Sequence, residues 1–347
     1  MDFKPIQIKD DDGAKKLVAK NNAAFGDLVP AQLKELFVIH HLKTIENKSE
    51  IEHLSEFKSF CKSKEGSYSY FYYPWLNRVI RTVGENDYAE LKTNRNRDLI
   101  SAEEQQTLQQ FSVAVLGLSV GSNIAFLLTQ AGMSNKIFLA DPDTLDTSNL
   151  NRLLTGVQDL GLNKAIISAR KICEGNPYAD PVPLVDGIND EILEKLLKTG
   201  SIHCIVEEVD ALPIKISTRK LAMKYKVPVV MITDNGFSIV LHVERYDLGH
   251  DKIFEKETSY WEKKFEGGLD HQKVSQIIIE DVFGSIDKID QKLFASNIRI
   301  MKKELVSWPQ LGSTAMFGGT VATQMIKRIA LKESKDLFIK KFIDFNI

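Results

Sequence analysis

Apolar and polar positions follow two different rhythms along this chain, one at each end of a clear break near residue 110. In the first part the strongest signal is helical: Pro30 opens AQLKELFVIHHLKTI, where Leu33, Leu36, Phe37, His40 and Ile45 recur at helix spacing. The later YSYFYYPWLNRVIRTV is dense in aromatic and β-branched residues around Pro74, and predicts irregular or extended structure packed on something larger. Residues 1–90 are therefore expected to form a mainly helical N-terminal extension. Its neighbouring His40 and His41 lie about 100° apart on a helix, so they read as core or surface histidines and not as a metal pair.

From Phe111 the rhythm becomes alternating strand and helix. FSVAVLGL, KIFLADPD, DPVPLVDG, SIHCIVEEVD and VPVVMITDNG read as buried strands, while NIAFLLTQAG, NKAIISARKICEGN and KISTRKLAMKYK read as helices. This succession predicts an α/β fold with a doubly wound, Rossmann-like, mostly parallel sheet and right-handed crossovers. After about residue 240 the pattern turns irregular, through FSIVLHVERYD and a charged stretch, before a final apolar helix near TAMFGGTVATQMIKRIAL. An irregular C-terminal segment is the expectation there.

Composition narrows the function classes. The 347 residues are 43% apolar and 27% charged, with 45 Lys+Arg against 47 Asp+Glu and a net charge of -2, as in ordinary globular proteins. A broad basic face for DNA is therefore not expected, although a local basic pocket for phosphate fits the balance. The three cysteines, Cys61, Cys173 and Cys204, form no CxxC pair, so neither a disulfide framework nor a structural zinc is expected and a reducing, cytoplasmic setting fits best. The first residues hold no apolar run of signal-peptide length. Phe111 to Asn135 carries no charge and exceeds the roughly 20 residues of a bilayer helix. Inside it, however, Gly117, Ser119, Gly121, Ser122 and Asn123 suit a turn between two buried elements, so no membrane span is expected.

That turn is the first chemical candidate. In nucleotide-binding sheets, the first strand-turn-helix junction meets phosphate with unpaired backbone amides and the helix dipole. Here the junction reads GLSVGS, residues 117–122, with Gly117, Ser119 and Gly121 as candidates; it is equally readable as a plain turn, and Ser119 stands where a dinucleotide loop has glycine. Asp141 ends the next strand about 20 residues later, placed to accept from ribose hydroxyls of either NAD or ATP. One connection then gathers Asp141, Asp143, Ser148, Asn149, Arg152 and Lys164, and two fixed cations after an acidic strand end suit a triphosphate.

In these residues the sequence resembles the ThiF/MoeB/HesA family, the adenylyltransferase fold shared with ubiquitin-activating enzymes. The family's signature is a glycine loop, DxDxVxxSNLxRQ and a following lysine. The likeness runs from RNRDLIS at 95–101 through GLSVGS and SNLNR to VDALPIKISTRKLAMKYKVPVV, roughly residues 90 to 240, and implies a ThiF-like domain over 91–347. It implies that Asp141 holds the ATP ribose, that Asn149, Arg152 and Lys164 bind phosphates, and that Asp210 holds Mg2+. It further implies a homodimer in which Arg97, with Arg95 a nearby second candidate, reaches into the partner's site. GLSVG, SNLNR, EEVD and the upstream YPWLNRVIR look most like a bacterial ThiF-type subgroup sometimes fused to a nitroreductase-like domain.

Two departures shape the expected chemistry. Leu153 replaces the signature's final glutamine, and no cysteine follows VPVVMITDNG, while Cys173 and Cys204 fall in a helix and a buried strand. The implied reaction is an ATP- and magnesium-dependent adenylation of a carboxylate, with a peptide or carrier among its candidate bearers, without a cysteine thioester. The mechanism would then stop at adenylation, or an amine or hydroxyl would capture the adenylate directly. Two other readings stay open on the residues alone: a non-catalytic nucleotide-binding scaffold, from the altered loop, and an NAD(P)-dependent oxidoreductase, from the strand, loop and Asp141.

Overall fold

The computed structural model describes residues 2–43 and 48–345. The chain divides into two compact units, one running to Ala102 and including Cys173–Ala179, the other comprising Glu103–Ile172 and Asp180 onward.

The first unit contains β1 (Ile6–Ile8), α1 (Asp11–Asn21), β2 (Ala24–Asp27), α2 (Val29–His40), α3 (Ser55–Ser63), β3 (Tyr68–Tyr73), β4 (Arg78–Val83) and α4 (Glu85–Thr93). The expectation of a mainly helical segment missed a four-stranded sheet in the order β1-β3-β4-β2. The reason is physical: β1 and β2 are three and four residues long, too short to display a period of two, and β3 is aromatic on both faces. The extended reading around Pro74 resolves into the antiparallel pair β3 and β4, joined by a short turn in which Asn77 has φ 44. Helix α2 buries Val29, Leu33, Leu36 and Phe37 and ends at His40; Ile45 lies outside the described residues. His40 meets the Glu90 carboxylate at 3.1 Å and the His41 ring stacks on Phe37 at 4.2 Å, so the two histidines do part company.

The second unit takes in α5 (Ala102–Gln110) from Glu103, then β5 (Val113–Leu116), α6 (Val120–Gln130), β6 (Lys136–Ala140), α7 (Lys164–Gly175) up to Ile172, β7 (Asp180–Leu184), α8 (Asp190–Lys198), β8 (Cys204–Glu207), α9 (Leu212–Tyr225) and β9 (Val229–Asn235). Strands β5 to β9 pair in parallel in the order β7-β6-β5-β8-β9. This is the doubly wound, mostly parallel sheet that the sequence predicts. Val113, Val115, Ile137, Leu139, Ile205 and Val206 are all buried, which explains why these strands read as continuous apolar runs.

The region expected to be irregular is not so. It forms β10 (Ser238–Glu244), α10 (Thr258–Phe265), α11 (His271–Ile277), α12 (Gln291–Met301), α13 (Gly312–Ala330) and β11 (Phe338–Ile343), and the antiparallel β10 and β11 complete a seven-stranded sheet. Strand β10 hid itself because His242 and Glu244 are buried within it, breaking the apolar run that marked the other strands. Cys173 and Cys204 are buried, in a helix and a strand as read from the sequence. Among the described residues, no helix is long and apolar enough to cross a membrane.

Candidate active site

Because β5, β6, β8 and β9 run parallel, their C-terminal ends share one edge of the sheet, and the chain leaves β5 for β6 on one side and returns to β8 on the other. Crevices for ligands open at such a reversal. At this edge Gly117 has φ 88, and a Cβ on it would collide with the Glu208 carbonyl oxygen at the end of β8. Only glycine fits both the backbone and the space. A Cβ on Gly121 would approach the Val115 side chain to 2.8 Å, so the start of α6 also lies close on its strand.

Asp141, 5% exposed, organises this loop. One carboxylate oxygen accepts the Leu118 amide at 2.7 Å and the other the Asp143 amide at 2.9 Å. Burial raises its pKa, opposed by those two amides and by Lys164, whose Nζ stands 3.9 Å away. Each oxygen retains a lone pair for a further donor, such as a ribose hydroxyl. Lys164, buried at the start of α7, donates to Asp143 at 2.9 Å. It is brought there by Asn163, whose side chain amide donates to the Asp141 carbonyl at 2.9 Å and the Asp143 carbonyl at 3.2 Å.

Arg152 joins the remaining pieces. Its Nε donates to Ser119 Oγ at 3.0 Å, and one Nη donates to the Ser148 carbonyl at 3.1 Å and Asn151 Oδ1 at 2.8 Å. The serine that departs from the usual glycine pattern is thus the hydroxyl by which the loop holds this guanidinium. Fully buried Asn123 fixes the backbone behind it, donating to the Arg152 carbonyl at 3.0 Å. Burial lowers the Arg152 pKa, while the charges of Asp234 and Asp210 act against that. Asn149 spends its side chain oxygen on the Asp146 amide at 3.0 Å, in a capping box that shapes the turn. Asp210 lies exposed between β8 and α9.

The structure therefore gathers Gly117, Ser119, Gly121, Asp141, Asp143 and Lys164 with Arg152 and Ser148, and sets Asp210 within electrostatic reach of Arg152. Arg97 belongs to the other unit, where it pairs with Glu90 at 2.7 Å.

One residue was missed. Asp234, at the end of β9, has both carboxylate oxygens buried without a hydrogen bond of good geometry. Burial pushes its pKa up to about 6, against the Arg152 charge and the approach of the Gln310 side chain. The signal lay in VPVVMITDNG: like Asp141, it is an acid closing an apolar strand.

The folded pKa of about 6 lies above the ordinary 3.8, so ionised Asp234 destabilises the fold above pH 6 and protonation removes that cost as pH falls toward 4. Asp234→Asn should raise the unfolding free energy at pH 8 by roughly 1–3 kcal/mol. The gain should vanish near pH 4. Urea unfolding at the two pH values checks this; equal gains at both would contradict the assignment.

The sequence pattern of the ThiF family matches residues 92–347. The chain is 35% identical over 270 residues to an uncharacterized protein of Mycobacterium tuberculosis (strain CDC 1551 / Oshkosh), covering 76% of this chain and 36% of that one, about a third of that relative's length. It is 26% identical over 254 residues to the tRNA threonylcarbamoyladenosine dehydratase of Bacillus subtilis (strain 168), covering 70% of this chain and 98% of the relative. Among solved structures, the E. coli tRNA N6-threonylcarbamoyladenosine dehydratase in complex with ATP superposes with a TM-score of 0.51 at 16% identity, over 70% of this chain and 95% of that chain. That likeness concerns the fold.

Proposed function

The chain belongs to the ThiF family, and on that footing we propose that it is an ATP- and magnesium-dependent adenylyltransferase that activates a carboxylate as acyl-AMP without a cysteine thioester. The observation that carries this reading is Arg152, tied to the glycine loop through Ser119 and within the charge of Asp234 at the end of β9 and of Asp210 in the loop after β8. In the reaction a carboxylate oxygen bonds to the α-phosphorus as the bond to pyrophosphate breaks. Arg152 and the amides opening α6 stabilise charge on the phosphates. Lys164 has three donors, of which Asp143 takes one, and it can turn the others toward the nucleotide. Asp141 keeps the loop in shape and receives the ribose.

Asp210 fits a magnesium ion: its carboxylate is exposed and makes no hydrogen bond or ion pair among the described residues. No group of three metal-ligating side chains occurs among the described residues, which suits magnesium, an ion commonly held by one or two carboxylates together with substrate phosphates. When bound, it would neutralise charge on the departing pyrophosphate.

Two of the three thiols support a route without a thioester, because Cys173 and Cys204 are buried and burial pushes the Cys204 thiol up, away from the nucleophilic form; half-buried Cys61, also pushed up by burial, belongs to the first unit. The reaction then stops at the adenylate, or an amine or hydroxyl captures it directly. The homodimer belongs to the same proposal, with Arg97 reaching the partner's site; its side chain is 55% exposed and its pairing with Glu90 is of the exchangeable surface kind. GLSVG, SNLNR, EEVD and YPWLNRVIR also favour the bacterial subgroup sometimes fused to a nitroreductase-like domain.

The test is pyrophosphate exchange. With magnesium, ATP and labelled pyrophosphate, label should enter ATP once fractions of a cell extract supply the right carboxylate, and Asp210→Ala should abolish it. ATP bound yet always recovered intact would sink the reading in favour of a scaffold.

A further inference from the structure

The chemistry above leaves Asp234 without a task, although its position is unusual for an acid. It closes β9 on the edge where the glycine loop, Asp141 and Asp210 also lie, and both its oxygens are buried without a hydrogen bond of good geometry, approached by the Gln310 side chain. Each neighbouring element presents a defined group. The turn at 147–152 supplies Arg152, the counter-charge. Strand β8 leads into Glu208, a buried carboxyl pushed up by burial and already accepting the Ile232 amide at 2.7 Å. Strand β10 sets Ile239 opposite Asp234, and α13 contributes Thr314, whose hydroxyl donates to the Gly236 carbonyl at 2.9 Å. The stretch before α12 brings Lys288 and Asp290, whose main chains bond the Asn235 side chain at 3.0 and 2.9 Å. Among the described residues Arg152 is the cation whose charge acts on Asp234, and it does so without an ion-pair contact.

We propose that Asp234 is a positioning residue that draws Arg152 toward the glycine loop by charge alone, and that it takes up a proton when a nucleotide phosphate claims the guanidinium. The inference rests on the adenylation reading, in its nucleotide site only. Arg152 has its Nε on Ser119 and one Nη on the turn, so the pull from Asp234 helps offset the cost of its partial burial. A phosphate at the loop satisfies Arg152 and adds negative charge beside it. Asp234 then becomes a buried carboxylate without a counter-charge, a state that proteins avoid by protonation. Its pKa, already pushed up to about 6, needs little further rise to reach neutral pH. The proton comes from solvent and returns there when the nucleotide leaves.

The experiment is calorimetric titration of the full chain with magnesium and the α,β-methylene analogue of ATP. It is run at several pH values and in buffers of different ionisation enthalpy. Wild type should take up roughly half to one proton per nucleotide at pH 7, and its affinity should strengthen as pH falls from 8 to 6.5, by at most about tenfold per unit for one linked proton. Asp234→Asn should lose that uptake and keep only the shallow slope of the nucleotide's own phosphate, which titrates near ~6. Asp234→Glu should retain the linkage. A residue that merely packs would not change the proton count. Equal uptake in wild type and Asp234→Asn, or in Asp234→Ser should the first variant not fold, overturns the proposal while leaving the nucleotide site standing, as does pH-independent binding by wild type. No nucleotide binding by wild type at any pH overturns both this proposal and the adenylation reading.

Discussion

Replacing Arg219 with alanine should remove about 3–5 kcal/mol of folding free energy, a large part of the 5–15 kcal/mol typical of a domain. Arg219 is fully buried on α9. Its Nε donates to Glu244 at 2.6 Å, and one Nη donates to Glu207 at 2.7 Å and to the Lys215 carbonyl at 3.0 Å. The guanidinium lies 3.9 Å over the Phe254 ring, and the network is closed by Tyr246 and the Phe254 amide, each 3.0 Å from Glu244, and by Lys215, 3.0 Å from Glu207. One helix is thus fastened to β8 and β10, on either side of β9. Burial alone would push the Glu207 carboxyl up, but Lys215 and Arg219 outweigh it and hold the pKa below its ordinary value. Alanine would leave Glu244 without a cation and Glu207 with Lys215 alone. The triple variant Arg219→Met, Glu207→Gln, Glu244→Gln should recover most of the loss, because it removes the charges with their partner. Guanidinium unfolding of both proteins decides the matter; a single-variant cost below about 1 kcal/mol would mean that the cluster is not the pin described here.

Arg152→Ala should lower the rate of pyrophosphate exchange by at least ten- to a hundred-fold, since one charge-assisted hydrogen bond to phosphate is worth on the order of 1.5–3 kcal/mol. The loss compounds for reasons special to this chain. Alanine also frees Ser119, and with it the glycine loop, from its anchor at 3.0 Å, and it leaves Asp234 a buried acid with no opposing cation. Arg152→Lys should fall between the two proteins, because it restores charge without the fork that reaches the Ser119 hydroxyl and the Ser148 carbonyl together. Exchange by Arg152→Ala within twofold of wild type would remove Arg152 from the proposed reaction.

Both residues show how differently fold and site were written in the sequence. The parallel strands announced themselves through unbroken apolar runs such as SVAVL and CIVE, all of whose residues are buried. The glycine loop was legible because Gly117 and Gly121 are demanded locally, by backbone angle and by contact with the strand beside them. Arg152, Lys164 and Asp210 were legible only as members of an ordered set, since a lone charge in a sequence reads as solvated surface.

What the amino-acid order settled by itself was everything with a short range: strand and helix periods, the turn that needs glycine, the acid closing β6. The tertiary structure alone decided that β10 is a core strand despite His242 and Glu244, that Ser119 is the loop's hold on Arg152, and that Asp234 and Arg219 are buried charges of opposite fortune, one without a bonded partner and one fully paired. Those facts depend on which groups meet across long stretches of chain, and the free energy of a buried charge is set by those distant neighbours. A residue's immediate sequence carries no record of them.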